Sequence, residues 1–425
     1  MHTPSTSRRA AFILLCIVSG WARLEAQGHQ RDYDDVDPWS GFESRGPPAD
    51  SAAVAGFLAG LAAASPLTCQ MAVSSIGNYW NHGREEHPVG ILADETALEA
   101  RRAGFGRSIT DPDAIALLAG SLADPHPCVR RAAARMLGDG QVPDAIRQLR
   151  TALRSQSPRV REAAVLGLAD AEDPSFFHEL TGALKDSDQS VVRMAAYALG
   201  ELEDARAVKP LAGLLKSKDA GTRSTAAWAL GEIEDIRAAE QLTSLVKDDD
   251  PEVRLAAVEA LGEIEDYRAT GALSDALKDR DVRIRRAAAE ALGEVESQKG
   301  AEPLTKALDD PDPVVRRLAA QALGELDGLK RAPTRLVTAL TDRDPEMAVI
   351  AAMSLGEIGD TTAVPALTAA YRSENPRLRY AVVSALSDLD DRRGDDLLSL
   401  ASQDRDQTVR HKAAEALKDR DHDDD

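Results

Sequence analysis

An all-α fold of stacked helical hairpins is what this chain predicts, and three observations carry the prediction. A short motif, A-L-G-E and close variants, returns at an almost constant interval along most of the sequence. Within each interval the apolar residues recur with the period of an α-helix. Hydrophobic residues make up 43% of the 425 positions but aromatics only 4%, so the core must be aliphatic and alanine-rich.

The interval comes first. Aligned on the glycine of A-L-G-E, the column reads Gly138, Ala169, Gly200, Gly231, Gly262, Gly293, Gly324, Gly356, Ser387 and Lys418, with steps of 31 residues and one of 32. A period this regular means units that cannot bury an apolar face alone and must stack, about ten of them here.

Each unit reads as two helices. The first is typified by Arg206–Leu215, with proline near its start at Pro210, Pro303 and Pro365, where a missing N–H is harmless. The second is typified by Pro251–Gly262. Its residues Val253, Ala256, Ala257, Ala260 and Leu261 fall on one helical face, and the alanines let neighbouring helices approach closely. The column before the central alanine (Ala132, Ala163, Met194, Thr225, Ala256, Ala287, Leu318, Ile350, Ala381) reads as buried. Gly262 and its equivalents stand where the helix should stop, so a positive φ is expected of them.

Two acidic columns and one basic column accompany the pattern. Asp188, Asp219, Asp250, Asp281, Asp312, Asp344, Asn375 and Asp406 precede the second helices as N-caps, worth about 1 kcal/mol each. A second acid sits two residues earlier (Asp124, Asp186, Asp248, Asp279, Asp310, Asp342, Asp404). Arginines at a fixed offset (Arg130, Arg161, Arg223, Arg254, Arg285, Arg316, Arg379, Arg410) are placed to pair with it in the next unit, forming a ladder along the stack.

The motif D-x-D-P-x-V-R-x-x-A-A-x-A-L-G-E-I, whole in Asp248–Ile264, resembles the HEAT-like repeat family, specifically the short type named from phycobilisome lyases. The resemblance spans roughly Asp111 to Arg420. It implies a right-handed α-solenoid whose second helices line the concave face. It fixes no activity, because the matching residues are structural.

Outside the repeats the sequence changes character. Arg8 and Arg9 precede an apolar run, Ala10–Ala22, of signal-peptide length and too short for a comfortable membrane span. Residues 1–26 are expected to be removed, with cleavage after Ala26 or Ala22. They carry three Arg and one Glu, so the mature chain would hold roughly −22 against −20 for the whole. Residues 27–50 read as a disordered acidic linker, 51–107 as divergent capping repeats, 108–419 as the solenoid and 420–425 as an acidic tail. Lys412 breaks the apolar column, as an outer cap facing water requires. Cys69 and Cys128 lie about two repeats apart, too far for a bridge between stacked units, and are expected to be packed thiols.

The negative charge argues against unassisted binding to nucleic acid or anionic lipid. No G-x-S-x-G, P-loop, H-E-x-x-H or C-x-x-C occurs. His178-Glu179 is the single His-Glu dipeptide, against the several that ligate the di-iron centre of the related deoxyhypusine hydroxylase. His82, Glu85, Glu86 and His87 have ligand chemistry but read as a polar turn. No cofactor or metal is expected.

Specificity should therefore lie in second-helix positions that vary between units and face the groove. The column after the arginine includes Arg193, Leu255, Arg286 and Arg317; four residues on come Tyr197 and Trp228. Tyr197 and Trp228 occupy the same place in adjacent units, so their rings should be neighbours. They form a hot-spot patch for a partner segment, or else simply fill the groove. Glu259 and Glu290 are expected to pair with Arg286 and Arg317. The reading is a secreted or periplasmic, monomeric, non-catalytic scaffold for a protein or peptide. The alternative is a lyase-like or hydroxylase-like enzyme, which the signal peptide opposes because bilin substrates are cytoplasmic.

Overall fold

The computed structural model describes residues 50–65, 69, 73, 109–171, 173–389 and 391–423, the last five as backbone only. By its internal contacts the chain divides into Met1–Arg45 and Gly46–Asp425, and the description concerns the second unit. The signal segment, nearly all of the 27–50 linker, all of 74–107 with His82, Glu85, Glu86 and His87, and the His422 side chain lie outside the described residues.

Helix α1 (Ser51–Ala63) starts at Asp50, whose carboxylate accepts the Ala53 N–H at 2.9 Å, and buries Val54, Leu58 and Leu61. Ten helical hairpins follow among the described residues. In chain order they are α2 (Pro112–Ser121) and α3 (Pro127–Gly138), α4 (Pro143–Ala152) and α5 (Pro158–Asp170), α6 (Phe177–Ala183) and α7 (Gln189–Glu201). Then come α8 (Val208–Leu214) and α9 (Ala220–Glu232), α10 (Ala239–Leu245) and α11 (Pro251–Glu263), α12 (Thr270–Ala276) and α13 (Val282–Glu294). The last are α14 (Ala301–Ala307) and α15 (Pro313–Glu325), α16 (Thr334–Thr338) and α17 (Pro345–Ile358), α18 (Val364–Ala370) and α19 (Pro376–Asp388), and α20 (Asp395–Ala401) and α21 (Gln407–Asp423). No strand occurs among the described residues, and no described helix is long and apolar enough to cross a membrane.

Each second helix packs on the second helices before and after it, and on its own first helix. In α9, α11 and α13 the sealed positions are Ala226, Ala227 and Leu230, Ala257 and Leu261, and Ala288 and Leu292; Leu211, Leu242 and Leu273 close the layer from the first helices. Burying each such leucine is worth about 1.5–3 kcal/mol. The column read as buried is in fact half-buried over most of its length: Met194, Thr225, Ala256, Ala287, Leu318 and Ile350 keep partial exposure. The sealed residue is the next one, Ala195, Ala226, Ala257, Ala288, Ala319 and Ala351. Lys412 is likewise half-exposed, its Nζ 3.4 Å from Glu415.

The capping column is as expected. Asp188, Asp250, Asp281, Asp344 and Asp406 accept the N–H two residues on, Asp219 the one three residues on, and Asp312 both. A third aspartate column had gone unread. Asp204, Asp235, Asp266, Asp360 and Asp391 each accept the N–H two residues on at 2.9 Å, starting a 3₁₀ turn that leads into the short first helix.

The A-L-G-E glycine does not end its helix. Gly262 lies inside α11, and positive φ falls three positions after the column, at Gln141, Glu203, Glu234, Glu265 and Glu296 (49–53°) and at Gly359 (74°), with Gly328 (69°) four positions after Gly324. The glycine serves close approach instead. A Cβ on Gly231 would stand 2.8 Å from Ala260 Cα and 2.9 Å from its Cβ. On Gly262 and Gly293 it would also overlap the carboxylates of Glu294 and Glu325 in the next unit. Gly231→Ala must therefore push α9 and α11 apart. The expected cost is about 1–3 kcal/mol, read by urea denaturation; an unchanged midpoint would show that the layers are not in tight contact.

The arginine ladder is present. Arg161 pairs through Nε and Nη2 with Asp186 (2.7 and 2.7 Å), Arg223 with Asp248 (2.8 and 2.7 Å), Arg254 with Asp279 (2.7 and 3.2 Å), Arg285 with Asp310 (2.9 and 3.1 Å) and Arg379 with Asp404 (2.8 and 2.9 Å). It lapses where the column holds Val192 or Ala348, and Arg316 reaches only the carbonyls of Asp310 and Pro311.

The cysteines correct the sequence reading. Cys69 and Cys128 form a disulfide, their Cα atoms 5.9 Å apart. The stretch around Cys69 lies directly beside α3: Arg135 Nη1 donates to the Val73 carbonyl at 3.0 Å. The sequence separation of 59 residues overstated the spatial gap between the two cysteines.

Candidate functional site

A groove of about 690 Å³ runs across α9, α11 and α13. Trp228 contributes from α9, Leu255, Ala256, Glu259 and Glu263 from α11, and Arg283, Arg286, Ala287, Glu290 and Glu294 from α13. These residues are brought together because second helices stack in register. Positions 31 residues apart in sequence become neighbours on one face.

Tyr197 and Trp228 do meet. Their rings stack with centroids 5.0 Å apart and planes 10° from parallel. Both are half-buried, so Trp228 is not enclosed between layers. Leu255 is half-buried, packs on the core and lines the groove one helix on. The stack spans α7 and α9 and leads into the groove.

The three arginines of the predicted patch are committed to the frame. Arg193 Nη1 donates to Asp219 at 2.9 Å. Arg286 makes a bidentate pair with Asp312 at 3.0 and 2.7 Å, and Arg317 Nε stands 3.8 Å from Asp344. In every case the partner is the N-cap of the next second helix, not Glu259 or Glu290 as the sequence suggested. The arginine points along the stack because the capping aspartate already offers a fixed carboxylate there. The hydrogen bond from Arg286 holds Asp312 down to about 2, and the backbone N–H groups of Val314 and Val315 assist.

The glutamates of the groove behave oppositely. Glu294 is raised to about 8, first by loss of surrounding water and then by Glu290, Glu263, Glu265 and Glu325. It still keeps contact with solvent at the groove mouth. Glu259 and Glu290 are raised by the same two causes, burial first, and Glu357 reaches about 7 further along. This row of carboxylates was missed as a site, although its signal was in view: the A-L-G-E glutamates Glu232, Glu263 and Glu294, with Glu259 and Glu290 three residues before the glycine, all line the groove.

Among the described residues no group of three or more His, Cys, Asp or Glu side chains is arranged to hold a metal. His178 is exposed, and Glu179 accepts a hydrogen bond from Arg150 at 2.9 Å.

Similarity to known proteins agrees with the architecture. The HEAT-repeat family profile matches residues 114–199, 179–250, 239–324 and 333–418, and the chain belongs to the HEAT-repeat family. No curated protein matches it by sequence. Among solved structures, one engineered protein aligns with 22% identity and a TM-score of 0.46, covering 72% of this chain and 98% of its own. The CpcE–CpcF complex of phycocyanin lyase from Nostoc sp. PCC7120 aligns with 24% identity and a TM-score of 0.34, covering 56% of this chain and 92% of its own. A second engineered protein has 25% identity and a TM-score of 0.35, covering 50% and 95%. With TM-scores below 0.5, nothing about activity is taken from these three.

Proposed function

We propose that this protein is a secreted or periplasmic, monomeric scaffold without chemistry of its own, which holds a segment of a partner protein along the groove of its second helices. The observation that carries the reading is the half-exposed Tyr197–Trp228 stack opening onto that groove. Rigid aromatics at a concave, partly desolvated place are what partner segments anchor on. Leu255 extends the apolar contact. Arg193, Arg286 and Arg317 form its rim, fixed by Asp219, Asp312 and Asp344 and so able to present a defined edge.

Two features support the location. The apolar run behind Arg8 and Arg9 has signal-peptide proportions, and a structural disulfide such as Cys69–Cys128 suits an oxidising compartment. Mass measurement of the protein's N-terminus from its native host should place it after Ala22 or Ala26.

The test of function compares capture of partners by wild type and by Tyr197→Ala/Trp228→Ala. The double variant keeps the sealed alanine and leucine positions and should fold. It should lose about 2 kcal/mol or more of binding free energy, which is over tenfold in recovery. Equal recovery by the two proteins removes this site.

A further inference from the structure

The groove across α9, α11 and α13 is lined by carboxyl groups, three of them gripped directly by no described side chain. Glu259 and Glu290 occupy the same column of α11 and α13, with Glu294 one turn beyond on α13. Among the described residues none of the three has an ion-pair or hydrogen-bond partner. The nearby cations are engaged elsewhere, Arg283 with Glu252 and Asp281 and Arg286 with Asp312. Between the carboxylates the wall is small and apolar, with Ala256, Ala287 and Ala291 along it and Trp228 and Leu255 at one end.

We propose that this groove takes an extended, lysine- or arginine-bearing segment of a partner protein, its cations lodged among Glu259, Glu290 and Glu294 and its aliphatic stems on Trp228 and Leu255. The inference names the partner chemistry for the function proposed above and rests on it for the choice of face. Charge complementarity is the main argument. A cation entering the groove relieves repulsion between carboxylates as well as forming its own pairs. The raised protonation tendency of all three glutamates comes first from loss of surrounding water and only then from neighbouring carboxylates, and a bound cation would offset both.

Spacing narrows the ligand further. Neighbouring helices in contact stand about 9 Å apart, and three residues of polyproline II advance the chain about 9 Å. A basic residue at every third position therefore meets successive second helices. Phosphate-bearing ligands have the wrong sign.

The test uses the full chain and a fluorescent peptide of four Lys-Ala-Pro triplets, followed by anisotropy at low salt, with the Glu-Ala-Pro analogue as control. All proteins are compared at pH 9, above the value of about 8 to which Glu294 is raised, so that two variants remove equal charge: Glu259→Gln/Glu290→Gln/Glu294→Gln in the groove, and Glu234→Gln/Glu240→Gln/Asp249→Asn on exposed sites away from it. Wild type and the second variant should bind the lysine peptide alike, and the groove variant should bind it about tenfold or more weakly. The groove variant should melt no lower than wild type, because the charges it loses repel one another. Two results overturn the inference: no binding of the lysine peptide by wild type, or equal loss in both variants, which would mean diffuse attraction to an acidic protein. If the lysine peptide fails while partner capture still depends on Tyr197 and Trp228, the scaffold function stands and the basic ligand falls.

Discussion

Replacing Arg379 by alanine is expected to destabilise the C-terminal units by about 3–5 kcal/mol, the cost of leaving one member of a buried ion pair alone. Arg379 is 4% exposed. Its Nε and Nη2 grip Asp404 of the next unit, while Nη1 donates to the carbonyls of Ser373 and Glu374 in its own. Tyr371 Oη donates to the same Asp404. Without the guanidinium, Asp404 stays desolvated with a hydroxyl and one backbone N–H for company, and the Ser373 carbonyl loses its donor while that of Glu374 keeps Arg405 Nη2 at 3.2 Å. Repeats couple only to their neighbours, so the loss should appear as early unfolding after α17 in urea, with the central units holding. A single unshifted transition would mean that the rung does not join the units.

The same rung sets a pH dependence. Arg379, first through its hydrogen bonds, holds the Asp404 carboxyl far below the ordinary carboxylate range. A carboxyl lowered on folding adds stability above its unfolded value near 3.8, and that stability disappears as pH falls towards the folded value. The difference between wild type and Arg379→Ala should therefore be full near neutrality and narrow steadily below about pH 4.

Loss of the Cys69–Cys128 disulfide is the second large effect. The bridge closes a loop across a sequence separation of 59 residues. Chain-entropy arguments give about 4 kcal/mol for a loop of this size. That stabilisation acts where the stack starts and where the repeat pattern of the sequence is weakest. Reductant should lower the melting temperature of wild type and leave Cys69→Ser/Cys128→Ser, already lowered, unchanged. A wild-type melt indifferent to reductant would show that the cap is held by packing alone.

What the sequence disclosed and what it hid have physical reasons. The register, the two-helix unit, the N-cap column and the Arg–Asp ladder were legible because each depends on one residue type at one offset, repeated. The role of Gly231 and Gly262 was misread. A glycine near a helix end suggests a left-handed cap, but only the neighbouring layer reveals that Ala260 and the Glu294 carboxylate need its missing side chain. The positive φ falls beyond the column, on a glycine at Gly328 and Gly359 but on Gln141, Glu203, Glu234, Glu265 and Glu296 elsewhere, which a preference for glycine there foresees only in part. The disulfide was hidden because a sequence separation measures distance only where the stack is regular. The Tyr197–Trp228 contact was legible from the column alone, whereas the commitment of Arg193, Arg286 and Arg317 to the next unit's caps required coordinates.

Hydrogen exchange of the full chain, alone and with a captured partner, tests the central claim most directly. A scaffold that uses its second-helix groove predicts slowed exchange in α9, α11 and α13, falling off towards α3 and α19. The contrary result is slowed exchange confined to the 3₁₀ turns around Ile236 and Tyr267, whose side chains are 58% and 64% exposed on the opposite, first-helix side of the hairpins, with the groove helices unchanged.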